Sequence, residues 1–219
     1  MEKMPYREQP EEAAATADGL PAQGVGADWR TGLPVLCGQL ATLRELRMSD
    51  APSLLAALTT EDVTRFISLP PTTVEGFERF ILWMHRQRVQ GKFACFAVVP
   101  AGGQDAVGLF QVRQLEQGFG TAEWGFALGS AFWGTGIFPE AARFVIDFVF
   151  ATLRSHRLEA RAAVLNGRGN GALKKVCAVQ EGILRRSLFR HGVYLDQLLW
   201  TLLDEDRRLA PAVPQSRVH

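Results

Sequence analysis

The chain has 219 residues, of which 47% are hydrophobic and 21% charged, a balance that predicts one globular domain with some additional length. Its 24 basic residues nearly match its 23 acidic residues, so the net charge of +1 gives no reason to expect a nucleic-acid or membrane partner. Three widely spaced cysteines without a C-x-x-C pair argue against a disulfide framework and against a metal site.

The first 34 residues differ in composition from the rest of the chain. They are rich in Glu, Ala, Gly and Pro, show no apolar period, and begin with charged residues instead of an apolar signal segment. We therefore expect a cytoplasmic protein with a flexible tail over 1–34, whose end docks through Trp29 and Leu33. A shorter tail over 208–219 leaves 35–207 as the folded domain.

The domain begins with a strand and two helices. Apolar and polar residues alternate over Leu40–Arg47, which predicts a strand. A helix then begins at Ser49 or Asp50 and carries leucines at helical spacing on one face. A second amphipathic helix is predicted from about 73 to 90, where Gly91 ends it.

The remainder of the domain is predicted to be mostly strand. The predicted strands are Phe93–Val99, Val107–Leu115, Thr121–Leu128, Arg157–Val164, Ile183–Phe189 and Val193–Leu203. A long helix with Pro139 in its first turn separates the third from the fourth, and a short helix over Asn170–Cys177 follows the fourth. The order β-α-α-β-β-β-α-β-α-β-β predicts a mixed α/β fold with a run of antiparallel strands and a β-α-β crossover.

The turn before the Pro139 helix is the most informative segment. It has the sequence WGTG over Trp133–Gly136 and opens directly onto that helix. Glycines allow a tight turn with converging N–H groups, and a helix N-terminus adds positive potential, so the layout is typical of an anion site. A loop without a ligand is the alternative, because G-x-G is common. The Walker pattern is absent, and Pro139 stands where a Rossmann motif needs its third glycine.

The turn resembles the coenzyme A motif Q/R-x-x-G-x-G/A of the GNAT superfamily at Ala131–Gly136. Further segments are similar to its RimJ/RimL-type branch of ribosomal-protein N-terminal acetyltransferases: AEWGFALGSAFWGTG at 122–136, HRLEAR at 156–161, NGRGNGALKKVCAVQEGILR at 166–185 and YLDQLLWTLL at 194–203. The resemblance covers about 36–206. It implies the GNAT fold, a mostly antiparallel twisted sheet with a splayed parallel pair and flanking helices.

This resemblance implies an N-acetyltransferase that moves an acetyl group from acetyl-CoA to a primary amine by direct attack, without a metal. The acceptor would be a protein or peptide N-terminus, an amino acid, a polyamine or an antibiotic amine, and the protein a monomer or homodimer. Ala131 replaces the usual Gln or Arg of the motif, Leu173 stands where many relatives carry a general-acid Tyr, and Cys177 replaces a Gly. A non-catalytic acyl-CoA-binding or interaction module is therefore the alternative.

Glu123 is the candidate general base. Strand alternation places it on a face otherwise lined by small residues, and an ammonium must lose a proton before it attacks. The alternative is a structural carboxylate paired with Arg157 or Arg161. Asp196 is the next candidate for an amine, with a structural ion pair as its own alternative.

The resemblance also implies the residues that bind the cofactor. Backbone N–H near Leu128 would stabilise the oxyanion, and Asn166 would contact the pantetheine arm or the departing thiol, unless it only caps a loop. Lys175 could approach the cofactor or simply face solvent, and Trp133 is expected to pack beneath the turn. The complete predicted set is Phe126, Leu128, Trp133, Gly134, Thr135, Gly136, Ile137, Asn166 and Lys175.

Overall fold

Eight strands form one sheet in a computed structural model that describes residues 28–190 and 192–209. The strands are β1 (Leu36–Cys37), β2 (Ala41–Glu45), β3 (Phe93–Pro100), β4 (Gly108–Gln114), β5 (Thr121–Leu128), β6 (Arg157–Ala163), β7 (Val179–Arg190) and β8 (Val193–Leu203). Their spatial order is β1-β2-β3-β4-β5-β6-β8-β7. Only the β5–β6 pairing is parallel among these strands, which confirms the predicted mostly antiparallel α/β fold.

The helices lie on both faces of the sheet. They are α1 (Ala51–Leu58), α2 (Glu61–Thr64), α3 (Val74–Val89), α4 (Ile137–Ala151), α5 (Gly167–Lys175) and α6 (Asp204–Leu209). One core cluster joins α4 and the end of α5 to one face, and a second joins α1, α2 and α3 to the other face of β3–β5. The amphipathic patterns in the sequence predicted these buried faces correctly.

Element bounds agree with prediction for the regular segments and differ for the short ones. β5 and β8 have the predicted bounds, whereas α5 begins at Gly167 instead of Asn170 because the Asn166 side chain caps it there. The two-residue β1, the four-residue α2 and the terminal α6 were not predicted, since so few residues show no measurable period.

The end of the predicted N-terminal tail is part of the core. Trp29 is 9% exposed and packs edge-on against Phe119 and Phe148, with ring centroids 5.6 and 6.4 Å away. Leu33 is buried in the same cluster, which confirms that both residues dock onto the domain. Residues 1–27 and 210–219 of the predicted tails, which covered 1–34 and 208–219, lie outside the described residues.

In the described part of the chain, no helix has the length and apolar character needed to cross a membrane. Over the same residues, no three His, Cys, Asp or Glu side chains come together as a metal site would require.

Candidate active site

The parallel strands β5 and β6 separate halfway along their length. Their pairing ends at Glu123 and Glu159, although β5 continues to pair with β4 as far as Leu128. The last five residues of β5 therefore border a gap in the sheet on the side of β6. This is the splayed parallel pair that the sequence resemblance implied.

Hydrogen bonds to β4 determine which peptide groups of β5 face this gap. Leu115 N donates to the Thr121 carbonyl at 2.9 Å, and Gly129 N donates to the Val107 carbonyl at 2.8 Å. The odd-numbered residues of β5 thus face β4, and because peptide groups alternate along a strand, the N–H of Leu128 points into the gap.

The glycine turn lies next to the end of β5. Gly134 and Gly136 have φ of 79° and 89°, in the left-handed region that glycine adopts without steric cost. Gly136 is the N-cap of α4, a 15-residue helix, so its turn brings N–H groups and the positive end of the helix dipole together. Thr135 is exposed and its hydroxyl donates to the Phe132 carbonyl at 2.8 Å, while the Ile137 side chain is buried in the core. Those two residues can contribute backbone N–H only.

A cavity of about 570 Å³ joins the turn, the gap and the start of α5, a size typical of a small-molecule site. The predicted cofactor residues that line it are Phe126, Leu128, Trp133, Gly134, Gly136, Asn166 and Lys175. The structure therefore assembles seven of the nine predicted residues around one space, although they come from four separate segments of the chain.

Asn166 has the capping role that its sequence position suggested, and it also lies at the cavity. Its Oδ1 accepts the Gly169 N–H at 2.8 Å and so caps α5, which is the loop-capping alternative. Asn166 also lines the cavity. Because the cap fixes the side chain, Asn166 can present its remaining amide group to a ligand without losing further rotamer freedom.

Trp133 does more than pack beneath the turn. Its indole Nε1 donates to the Leu128 carbonyl at 2.8 Å, at the open end of β5, and it lines the cavity. The Arg168 guanidinium lies 4.2 Å from the centroid of its ring, which links the first turn of α5 to the glycine turn. Sequence reasoning missed Arg168, although it stands within the NGRGN segment that carries the resemblance.

The opposite wall of the cavity comes from α2 and the residues after it. Asp62, Arg65 and Phe66 line the cavity there, and none of them was predicted. Asp62 is the one carboxylate among the described lining residues. No sequence signal marked this wall, because α2 is a single turn between two longer helices.

Glu123 lies in the sheet rather than in the cavity lining. It is 5% exposed and forms an ion pair with Arg113, and its Oε1 lies 3.9 Å from Arg161 Nε. Arg161 was one of the two predicted structural partners. The face of β5 is less open than expected near its end, because Ala127 packs in the α1–α3 cluster.

Arg157, the other predicted partner of Glu123, pairs elsewhere. Its Nε donates to Glu159 at 2.8 Å and its Nη2 to Glu181 at 2.6 Å. The hydrogen bonds from Arg157 and from Thr201 lower the pKa of Glu181 from its ordinary value of 4.5 to about 2. Together with Glu123 on β5, these side chains form a row of polar groups that crosses β6, β8 and β7.

Three other residues that the sequence analysis singled out lie outside the cavity lining. Leu173, in the position of the family's tyrosine, is completely buried in the core. Asp196, the alternative candidate for binding an amine, is exposed, and its Oδ1 accepts the Arg186 N–H at 2.7 Å within the β7–β8 hairpin, a structural role different from the ion pair that was its alternative. Cys177 is exposed and outside the cavity lining.

Comparisons with known proteins identify the family. The acetyltransferase (GNAT) domain family matches residues 41–176. The uncharacterized N-acetyltransferase p20 of Bacillus licheniformis is 26% identical over 166 residues, which cover 75% of this chain and 93% of that protein.

Two solved structures share the fold. Ribosomal-protein-S5-alanine acetyltransferase from Vibrio fischeri has a TM-score of 0.72 at 20% identity, covering 79% of this chain and 98% of its own. RimJ from Mycobacterium smegmatis, solved in complex with CoA-disulfide, has a TM-score of 0.71 at 22% identity, covering 78% and 84%. With a family match over more than half of its length, the chain belongs to the GNAT acetyltransferase family and is an acetyltransferase.

Proposed function

We propose that this acetyltransferase uses acetyl-CoA as donor and a primary amine as acceptor, and that the two meet at the gap between β5 and β6. The observation that carries the proposal is that one cavity contains both the glycine turn at the start of α4 and the open end of β5. The glycine turn can hold the anionic part of coenzyme A, and the open end of β5 can receive the thioester.

The residues present fit coenzyme A. A Cβ on Gly134 would meet nothing within 4 Å, so the turn leaves open space where the pyrophosphate would lie against its N–H groups. Arg168 and Lys175 add two positive charges to the same cavity. Phe126, Leu128 and Trp133 supply apolar contacts for the pantetheine arm, and Asn166 a polar one.

The protein's contribution to the reaction is orientation, charge stabilisation and proton removal. Acetyl-CoA supplies an activated acetyl thioester. The Leu128 N–H points into the gap and would donate to the carbonyl oxygen as negative charge develops on it. Trp133 holds the carbonyl of the same residue, and so fixes the direction of that strand end.

The amine must also lose a proton. We propose Glu123 for this role, directly or through a water, because it is the last β5 residue paired with β6 before the gap opens. A protonated amine gives up two protons in the reaction, one to Glu123 before attack and one after the C–N bond forms. The departing thiolate takes up one proton, and the other is released to solvent. No tyrosine is among the described residues that line the cavity, so solvent can supply the proton that the thiolate takes.

The acceptor class that we favour is a protein or peptide α-amine. The support is similarity to the RimJ/RimL-type branch, including a structure named as a ribosomal-protein-S5-alanine acetyltransferase. Small-molecule amines are the alternative class of acceptor.

Two measurements test the proposal. Calorimetry with acetyl-CoA should give micromolar affinity, and thiol release from acetyl-CoA should rise with at least one amine from a panel of peptides, amino acids, polyamines and aminoglycosides. Binding without turnover over the whole panel would instead favour a non-catalytic acyl-CoA-binding module. Absence of binding would remove the donor assignment.

A further inference from the structure

The carboxylate of Glu140, in the first turn of α4, accepts hydrogen bonds from backbone N–H groups near the N-terminal end of the domain. Glu140 Oε1 accepts the Gln39 N–H at 2.9 Å, and its Oε2 accepts the N–H groups of Leu40 and Ala41 at 2.9 and 3.0 Å. Gln39 and Leu40 belong to the turn between β1 and β2, and Ala41 begins β2, 99 to 101 residues earlier in the chain. Three charge-assisted bonds to one carboxylate make a strong and directional link.

The β1–β2 turn is shaped to receive this side chain. A Cβ on Gly38 would collide with both carboxylate oxygens of Glu140, so any larger residue there would push the carboxylate away. Gly38 does not have the positive φ that would itself demand glycine. Its lack of a side chain is therefore explained by the approach of Glu140.

The same link brings the β1–β2 turn against the glycine turn. A Cβ on Gly136 would lie 2.9 Å from Leu40 Cδ1, so Leu40 backs Gly136 in direct contact. Leu40 is 43% exposed, and its carbonyl accepts the Ala101 N–H at 2.8 Å, so this bond anchors one side of the residue and the Glu140 link the other.

We propose that Glu140 is a positioning residue for the cofactor turn: it clamps the β1–β2 turn so that Leu40 fixes the backbone of Gly136. This inference rests on the proposed binding of acetyl-CoA at that turn. A carboxylate near a helix N-terminus would by its charge alone compete with a bound anion. The three amides satisfy that charge, and leave the N-terminal N–H groups of α4 to the pyrophosphate.

Charge and positioning predict opposite effects for Glu140→Gln. If the charge alone mattered, its removal would tighten the binding of an anionic ligand. If the clamp matters, the Gln amide nitrogen would oppose one of the backbone donors, the β1–β2 turn would detach, and acetyl-CoA would bind more weakly. We expect the dissociation constant for acetyl-CoA to rise about tenfold, with turnover at saturating acetyl-CoA changed less than twofold.

Gly38→Ala supplies an independent way to break the clamp. It should weaken acetyl-CoA binding by a similar factor, and the double variant Gly38→Ala/Glu140→Gln should bind no more weakly than either single variant, because the two changes remove one interaction. Amide hydrogen exchange of Gln39, Leu40 and Ala41 should be slow in the wild-type protein and fast in both variants. Additive effects or unchanged exchange would overturn the clamp.

Asp50→Asn is the matched control for lost stability. Asp50 accepts two bonds from Arg44 at 2.7 Å and one from the Arg47 N–H, and lies away from the cavity. The Asp50→Asn variant should have a lower melting temperature and an unchanged affinity for acetyl-CoA. If Glu140→Gln does not fold, Leu40→Ala must still raise the dissociation constant severalfold. If the wild-type protein binds acetyl-CoA and the variants bind it with unchanged affinity, the clamp alone is refuted. If the wild-type protein does not bind acetyl-CoA, the proposed donor is refuted as well.

Discussion

Replacing Glu123 by Gln separates proton transfer from sheet stability. The amide keeps the shape of the side chain, but it loses the basicity and the ion pairs with Arg113 and Arg161. If Glu123 accepts the proton of the amine, turnover should fall about 10²–10⁴-fold, the usual contribution of a positioned general base. Affinity for acetyl-CoA should stay within twofold, because Glu123 does not line the cavity.

The structure also sets the expected loss of stability. Breaking a fully buried ion pair costs about 3–5 kcal/mol, but the Arg113 and Arg161 side chains are 32% and 29% exposed, so water can solvate what remains. We expect a loss of about 1–2 kcal/mol in the free energy of unfolding, or about 2–8 °C in melting temperature for a domain of this size.

Glu159→Gln is the matched control. Glu159 lies opposite Glu123 on β6, has a side chain 14% exposed, and pairs with Arg157. The Glu159→Gln variant should lose about as much melting temperature as Glu123→Gln and keep near-normal turnover per folded molecule. The assays are thermal melting and thiol release with the best amine of the panel.

The pH dependence gives a second readout for Glu123. Raising the pH should restore part of the activity of Glu123→Gln, because a larger fraction of the amine is already neutral. The base assignment is refuted if Glu123→Gln and Glu159→Gln have equal turnover per folded molecule. In that case Glu123 only stabilises the sheet, and solvent takes the proton of the amine.

Three further outcomes are expected. Gly136→Val should reduce acetyl-CoA binding at least tenfold by calorimetry on folded protein, whereas Gly102→Val, also at positive φ but in open space, should not. Removal of residues 1–27 should leave the melting temperature unchanged, while Trp29→Ala should cost about 3 kcal/mol, since its indole is buried. Because the pKa of Glu181 is lowered from 4.5 to about 2, its stabilising effect is complete above pH 4.5 and lost on acidification toward pH 2. The melting-temperature difference between wild type and Glu181→Gln should therefore disappear across that range. Equal affinity in both glycine variants, a lower melting point after truncation, or a difference that persists at pH 2 would contradict the respective prediction.

The sequence by itself determined the order of the main elements and the position of the glycine turn before α4. Strand β5 and helix α4 were predicted because alternation and helical spacing are local properties, readable over the eight residues of β5 and the 15 of α4. The WGTG turn was also recognisable locally, because a tight strand-to-helix turn requires positive φ angles that glycine adopts readily. The family resemblance added Asn166, which no local pattern would have assigned to the same site.

The tertiary structure alone decided which side chains meet. Arg113 pairs with Glu123 because of the β4–β5 register, which periodicity does not specify. The wall around Asp62 comes from a single helical turn, too short to produce a sequence signal. Glu140 reaches amides about 100 residues away, and only the packing of α4 beside the β1–β2 turn brings them together. Local order follows from neighbouring residues, whereas the site is made by contacts between segments that chain sequence leaves far apart.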